Sequence, residues 1–445
     1  MMSLLQAFFF LSLVVSLATA VPSPQKLQKR GVFKVERVRN VNFRGRNGPR
    51  TLAKVYRKYG RPLPSGLLDA MNNGGQSTST NSLQSEERKS GMKGTGKGFN
   101  EVPVVSTTNQ TITPGTGLVT AIPETNDVEY LSPITVGGQT LNVDFDSGSS
   151  DLWIFNSQLG TQVTKGHQVY DPAKSNTFLL LDGQTFTISY GDGSGAAGNV
   201  GVDMVDVGGA TVTQQAIELA TTVSESFVED NSDNGLMGLA FSKLNTVTPQ
   251  QQKTFFDNVM DSLAEPVFTA DLRPNSVGAY EFGRIDTTKF TGEMAWVPVN
   301  TTQGFWQFST STFSVGDSES QLGPTGSQAI ADTGTTLLLS SSEVVSGYYS
   351  QVPSAQISEK MGGVVFDCDE DLPDLMLDVG GVYMARVNGS DINFAAIDEA
   401  QNVCFGGLQE SPVSGMQVWG DIFFKSQFVA FNGGNNSLGM AQHIF

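Results

Sequence analysis

Two short stretches of this 445-residue chain carry residues able to do hydrolytic chemistry, Asp146-Ser-Gly-Ser-Ser and Asp332-Thr-Gly-Thr-Thr. Two carboxyl groups held about 3 Å apart cannot both ionise, so one pKa falls, the other rises and a proton is shared. The ionised member can take a proton from water, which attacks a peptide carbonyl that the protonated member polarises. Such a pair titrates as a unit. Other chemistries have little material. Only His167 and His443 are present, the second close to the end, and no nucleophile-elbow pattern accompanies them, so Ser-His-Asp and Cys-His arrangements are unsupported. There is no His-Glu-x-x-His, and two cysteines 36 residues apart do not build a zinc site, so neither metal nor cofactor is expected.

The neighbours suit a carboxylate pair. Gly148 and Gly334 let the backbone turn tightly and approach its partner. Ser147 and Thr333 offer hydroxyls that can bond across a junction, and Ser149 and Thr335 can orient the outer carboxylate oxygens. Strands must deliver both turns. Leu141, Val143 and Phe145 alternate with polar residues, the pattern of a half-buried strand ending at Asp146, and the apolar run Ala329-Ile330-Ala331 ends at Asp332. The echo continues downstream. Gly238 in Leu236-Met-Gly-Leu-Ala-Phe lies 92 residues after Asp146, and Gly420 in Val418-Trp-Gly-Asp-Ile-Phe lies 88 after Asp332. One Asp-Ser-Gly-Ser alone reads as an ordinary Asx turn. Its duplication points instead to two related lobes that bring the Asp turns face to face.

A third feature is Thr185-Phe-Thr-Ile-Ser-Tyr-Gly-Asp-Gly-Ser-Gly195, whose alternation breaks at a glycine-rich tip and predicts a hairpin. Taken alone, Tyr190 is a surface turn aromatic. Over two Asp turns, it becomes a lid that closes on substrate and excludes water.

The rest of the chain supplies the setting. Residues 1–20 are uncharged, apolar from Leu4 through Leu17 and end Ala18-Thr19-Ala20, which reads as a secretory signal peptide. In that compartment Cys368 and Cys404 are expected to form one disulfide. The chain total of −17 divides into +13 over residues 21–100 and −30 over residues 101–445. A basic block can bind nucleic acid, but beside so acidic a body in a secreted protein an intramolecular partner is the better reading. Leu52, Val55 and Tyr59 have helical spacing, and a flexible linker is expected from Ser65 to about Gly98. From about Thr120 short alternating runs predict an all-β protein. Two helices are expected, one from Thr248-Pro249 with Thr248 as N-cap, the other from a capping box at Ser340-x-x-Glu343. The organisation read from this is a signal peptide over 1–20, a leader and linker over 21–110, and lobes over 111–298 and 299–445. Sequons at Asn109, Asn300, Asn388 and Asn435 are candidate glycosylation sites.

These residues resemble the pepsin-like aspartic endopeptidases, most closely their secreted fungal branch. The likeness runs from about Tyr130 to Phe445. It rests on Asp146-Ser-Gly-Ser-Ser-Asp-Leu-Trp153, Ile188-Ser-Tyr-Gly-Asp-Gly-Ser194, Asn234-Gly-Leu-Met-Gly-Leu-Ala-Phe241, Thr291-Gly-Glu-Met-Ala-Trp-Val-Pro-Val299, Asp332-Thr-Gly-Thr-Thr336 and Trp419-Gly-Asp-Ile-Phe423. The resemblance implies a two-lobed all-β fold with few short helices and a deep cleft, with Asp146 and Asp332 as the catalytic pair. It implies a flap of Tyr190, Gly191 and Asp192, with Tyr190 bonded to Trp153, and tolerance of Lys beside the scissile bond through Asp192. Gly148, Gly334 and Thr335 would border the substrate, and Phe227 and Leu236 would line an apolar pocket that favours apolar residues at the scissile bond. The single Cys368–Cys404 bridge fits the fungal members. The leader would be a removable propeptide and intramolecular inhibitor in which Lys58 reaches the catalytic pair, with Lys54, Arg57 and Arg61 as competitors. A monomer acting on peptides and proteins is implied, with no nucleic acid and no membrane once the signal is removed. Trp419 departs from the Leu or Ile usual before Gly-Asp, which bears on local packing. Two other readings stay open: an inactive binding protein on the same fold, which a proteolysis assay separates, and a two-carboxylate glycoside hydrolase, which needs neither the duplicated turns nor a basic leader.

Overall fold

The computed structural model describes residues 33–36, 47–73, 130–189, 195–228, 233–274, 276, 278–398 and 402–444. In chain order, strand β1 (Phe33–Glu36) and helices α1 (Gly48–Lys58) and α2 (Ser65–Asn73) precede the body. The first half of the body then holds β2 (Leu131–Val136), β3 (Gln139–Asp146), β4 (Leu152–Ile154), β5 (Leu179–Ser189), β6 (Gly195–Val207), β7 (Ala210–Val223) and β8 (Gly235–Gly238). These seven strands form one sheet in the order β2-β3-β8-β4-β7-β6-β5. Helix α3 (Phe255–Val259) follows, then β9 (Val267–Asp271), β10 (Ala279–Phe282) and β11 (Ala295–Pro298). The last three join β1 and the C-terminal strands Gln427–Asn432 and Ser437–Gln442 in a six-stranded sheet that ties the two halves together.

The internal repeat has a direct structural counterpart. In the first half β3 runs parallel to β8, with Asp146 opposite Gly238, and β4 lies antiparallel on the other side of β8. In the second half Gln328–Ala331 runs parallel to Met416–Trp419, with Leu338–Ser340 antiparallel on its other side. Each downstream glycine packs directly on its Asp turn. A Cβ on Gly238 would lie 2.5 Å from Ser150 Cα, and one on Gly420 would lie 2.0 Å from the Thr335 carbonyl oxygen, so neither position admits a side chain. Trp419 fits without disturbance: it is fully buried, tilts against Phe423 and meets Phe308 edge-on.

Four local expectations are corrected. Strand β3 is not half-buried along its length, because from Val143 to Asp146 every residue is buried where the two halves meet. Residues 65–73 are helical rather than linker: Leu67 is buried, and α2 approaches the body so closely that a Cβ on Gly66 would meet the Glu359 carbonyl. Helix α3 begins at Phe255, not at Thr248. The backbone N–H and C=O of Thr248 both pair with Thr185 of β5, which holds Thr248 in a bridge, while Thr254 Oγ1 accepts from Asp257 N at 3.2 Å as the actual N-cap. Likewise the helix Ser342–Tyr349 is capped by Ser341, since Ser340 ends a strand with its hydroxyl donated to Gln417 Oε1. Cys368 and Cys404 are disulfide-bonded. The signal segment, residues 74–129 and Asn109 lie outside the described residues.

Candidate active site

β3 and Gln328–Ala331 deliver Asp146 and Asp332 to the junction, where both are almost fully buried. The two turns grip each other through the residues between Asp and Gly. Ser147 N donates to Thr333 Oγ1 (3.0 Å) and Thr333 N to Ser147 Oγ (2.9 Å). The hydroxyls reach further, Ser147 Oγ to the Ala331 carbonyl (2.9 Å) and Thr333 Oγ1 to the Phe145 carbonyl (2.6 Å). Each carboxylate is then held on both oxygens. Gly148 N and Ser149 Oγ donate to Asp146 Oδ1 and Oδ2, both at 2.7 Å. Gly334 N (3.1 Å) and Thr335 Oγ1 (2.6 Å) do the same for Asp332. The glycines owe their place to space rather than to an unusual φ: a Cβ on Gly148 would sit 2.5 Å from Asp332 Oδ1, and one on Gly334 2.4 Å from Asp146 Oδ1.

A cation and a phenol from α1 and its C-cap occupy the centre. Lys58 Nζ lies 2.7 Å from Asp146 Oδ1 and 2.8 Å from Asp332 Oδ1, and Tyr59 donates its hydroxyl to Asp332 Oδ2 at 2.5 Å. The competing cations go elsewhere. Arg57 Nη2 contacts Met71 Sδ at 3.7 Å, and Lys54 and Arg61 are exposed. Helix α1 reaches this position because Asn47 Oδ1 caps it, Pro49 starts it, and Leu52, Ala53 and Val55 are buried against the body. Tyr59 is the participant that sequence reasoning missed. Helical spacing accounts for it as an apolar position, and its place next to Lys58 is the signal that could have found it.

Charge balance in the site follows from this geometry. Burial pushes the Asp146 carboxyl up and the Asp332 charge adds to it, so it stays above the ordinary range despite Lys58. Burial also acts on Asp332, but the Lys58 ammonium and hydrogen bonds from Asp146, Lys58 and Thr335 outweigh it and hold that carboxyl below the ordinary value. Lys58 is raised, because its two carboxylates outweigh the burial that opposes its charge. Burial first, then Asp332, pushes the Tyr59 hydroxyl far up, so it remains a donor.

Of the flap, β5 and β6 form the expected hairpin with Phe186 buried, but Tyr190, Gly191 and Asp192 lie outside the described residues. Trp153 is fully buried and its Nε1 has no hydrogen-bond partner among the described residues. Phe227 meets Trp153 edge-on at 5.0 Å, and Leu236 packs in the same cluster, so the two residues expected in one pocket are adjacent to it.

The model of the eukaryotic aspartyl protease family matches residues 129–443, the whole stretch that builds the paired Asp turns. The chain is a eukaryotic aspartyl protease. Among curated proteins it is 44% identical to endothiapepsin of Cryphonectria parasitica over 414 residues, covering 92% of this chain and 90% of that one. It is 42% identical to the aspartic protease PEP3 of Coccidioides posadasii over 99% of this chain and 95% of that one. Identity to penicillopepsin-3 of Penicillium janthinellum is 40%, over 96% of both chains. As an aspartic endopeptidase the protease takes peptides as substrates, and among its described residues no helix is long and apolar enough to cross a membrane.

Proposed function

We propose that the protease is made as a secreted zymogen whose leader holds the Asp146–Asp332 pair shut until acid releases it. One observation carries this reading: Lys58 Nζ bridges both carboxylates from α1. A substrate carbonyl and the attacking water would need the volume that Lys58 and Tyr59 fill.

The sign of the pH response follows from the shifts. Asp332, held below its ordinary value, contributes to leader binding above the ordinary carboxylate pKa near 4 and loses that contribution as pH falls through its depressed value. Asp146, already raised, takes up its proton earlier in the same descent, so the contribution that acid removes is that of Asp332. Lys58 keeps its charge throughout, because its raised pKa is crossed only at high pH. Acid therefore leaves a buried ammonium without counter-charges, which is unfavourable, and the leader departs.

With the leader gone, the freed pair shares a proton and acts on a water between its carboxyls. One carboxylate takes a proton from that water as its oxygen adds to the peptide carbon. The protonated partner donates to the carbonyl oxygen, and collapse of the tetrahedral adduct passes a proton to the departing amine. Ser149, Thr335 and the Gly148 and Gly334 amides hold the carboxylates at fixed angles, so little reorganisation accompanies the step. That the Trp153 indole N–H has no partner among the described residues supports a bond to Tyr190 when the flap closes. The aromatic and aliphatic surface around Trp153, Phe227 and Leu236 supports a preference for apolar residues at the scissile bond.

The test is the conversion of purified full-length chain followed against pH. Lys58→Ala should convert at a higher pH than wild type, and N-terminal sequencing should locate the mature start. Identical conversion profiles for the two proteins would remove Lys58 from the role.

A further inference from the structure

A second carboxyl pair lies directly behind the Asp146 turn, and hydrolysis itself makes no use of it. Asp151 is 3% exposed and Glu218 1% exposed. Glu218 stands on β7 opposite Trp153 of β4 in the parallel ladder, and Asp151 is the residue just before β4. The two carboxyl groups converge on one amide. Asn245 Nδ2 lies 3.1 Å from Asp151 Oδ1 and 3.1 Å from Glu218 Oε1, while Thr246 donates to Asp151 Oδ1 through N (2.8 Å) and Oγ1 (3.0 Å). Glu218 Oε2, buried, has no hydrogen-bond partner among the described residues. Two acceptor-only carboxylates cannot bond to each other, whereas a single proton satisfies the orphaned oxygen and turns one acid into the donor.

The charged surroundings supply no alternative. Glu218 is the only titratable residue on β7, β4 and β8 have none, and on β6, which pairs with β7, Asp203 accepts from Tyr170 and Thr177 and Asp206 from Thr211. On the adjoining segment Lys243 donates to the Thr302 carbonyl, Lys253 is exposed and Asp257 accepts from Ser242. Asp146 faces away to Asp332 and Lys58. Among the described residues no cation balances either buried acid.

The pair is wired to the chemistry on two sides. Asn245 Nδ2 also donates to the Ser150 carbonyl (3.2 Å), next to Ser149, whose hydroxyl orients Asp146. Thr248, three residues after Asn245, bridges Thr185 at the base of the flap hairpin. We propose that Asp151 and Glu218 are a proton-bridged positioning pair whose shared proton ties β4 to β7. Its loss at rising pH loosens the Asp146 turn and the flap base, and so sets the upper pH limit of hydrolysis.

The sign is opposite to that of the leader clamp. Burial raises Glu218 well above its ordinary value, with Asp151 adding to it, and burial raises Asp151 against the bonds it accepts from Thr246 and Glu218. Acids raised in the folded state contribute stability that is full below the ordinary carboxylate pKa and is lost as pH rises through the raised value. The protease is thus released by acid and undone toward neutrality by two different carboxyl pairs.

This inference rests on the protease reading, which the acid activity of the wild type tests separately. Full-length chain is brought to acid pH, returned to graded higher pH, and assayed for kcat/KM on a peptide, each protein normalised to its own acid plateau. Glu218→Gln keeps the donor and removes the titration, so its high-pH limb should move up by about one pH unit or more. Asp151→Asn turns the donor toward a Glu218 carboxylate, and should keep a pH-dependent limb displaced from that of the wild type. An unmoved limb in Glu218→Gln overturns the proposal. If that variant does not fold, infrared spectra of Asp146→Asn, which lacks the shared proton of the catalytic pair, decide the matter. A protonated carboxyl band persisting above the ordinary carboxylate range, and absent from Asp146→Asn/Asp151→Asn, supports the pair; its absence from Asp146→Asn refutes it.

Discussion

At the scale of single residues, the Asp146–Asp332 pair is a problem of distance, and its glycines show how little slack exists. The Cβ of Gly148→Ala would stand 2.5 Å from Asp332 Oδ1 with the turns in place, so one carboxylate must move. A displacement of that order should lower kcat/KM by about 100-fold while near-ultraviolet circular dichroism stays unchanged. Activity near wild type in the folded variant would mean that the two turns are not held as described. Sequence reasoning could find Asp146, Asp332 and their hydroxyl neighbours because each appears twice in one pattern. Tyr59 appears once, inside a helical apolar spacing that accounts for it without any polar role, so nothing in the periodicity pointed to its bond with Asp332. The Asp151–Glu218 contact was hidden for another reason. It joins residues 67 positions apart across a parallel ladder, whose register a single sequence does not disclose.

At the scale of elements, type was legible and boundaries were not. The strand leading to Asp146 and the α1 spacing were readable because apolar residues recur with the right period. Thr248-Pro249 has the residue types of a helix start, but a long-range bridge from Thr248 to Thr185 holds it out of α3. Thr254→Ala should therefore lower stability by about 1 kcal/mol in denaturant unfolding, whereas Thr248→Ala leaves the cap untouched; equal losses through the helix cap from both would contradict the assignment. Helix α2 was hidden because it opens a run rich in Gly, Ser and Asn, and it is held by tertiary contact through Leu67 and Gly66. The proposed clamp by α1 also predicts a response to salt. Exposed pairs between a basic leader and an acidic body are screened within about 8–10 Å at ordinary ionic strength, but Lys58 and its partners are nearly buried. Raising salt should move the conversion pH toward neutral by less than Lys58→Ala does, and a larger salt effect would place the clamp in the surface charges instead.

At the scale of the whole molecule, two copies of one architecture face each other, and a sheet built from both halves keeps them in register. The disulfide belongs to this scale because it closes 36 residues of the second half. Replacing both cysteines with serine should lower unfolding stability by about 2–4 kcal/mol and leave the dyad intact; an unchanged unfolding midpoint would contradict that role. The central claim is that Asp146 and Asp332 together hydrolyse peptide bonds once the leader has gone. The most direct measurement is the acid-phase hydrolysis of a peptide with apolar residues at the scissile bond by wild type, Asp146→Asn and Asp332→Asn, each shown to be folded. The account predicts that either substitution lowers kcat/KM by about 1,000-fold or more. Hydrolysis by either folded variant at a rate comparable to wild type would contradict it.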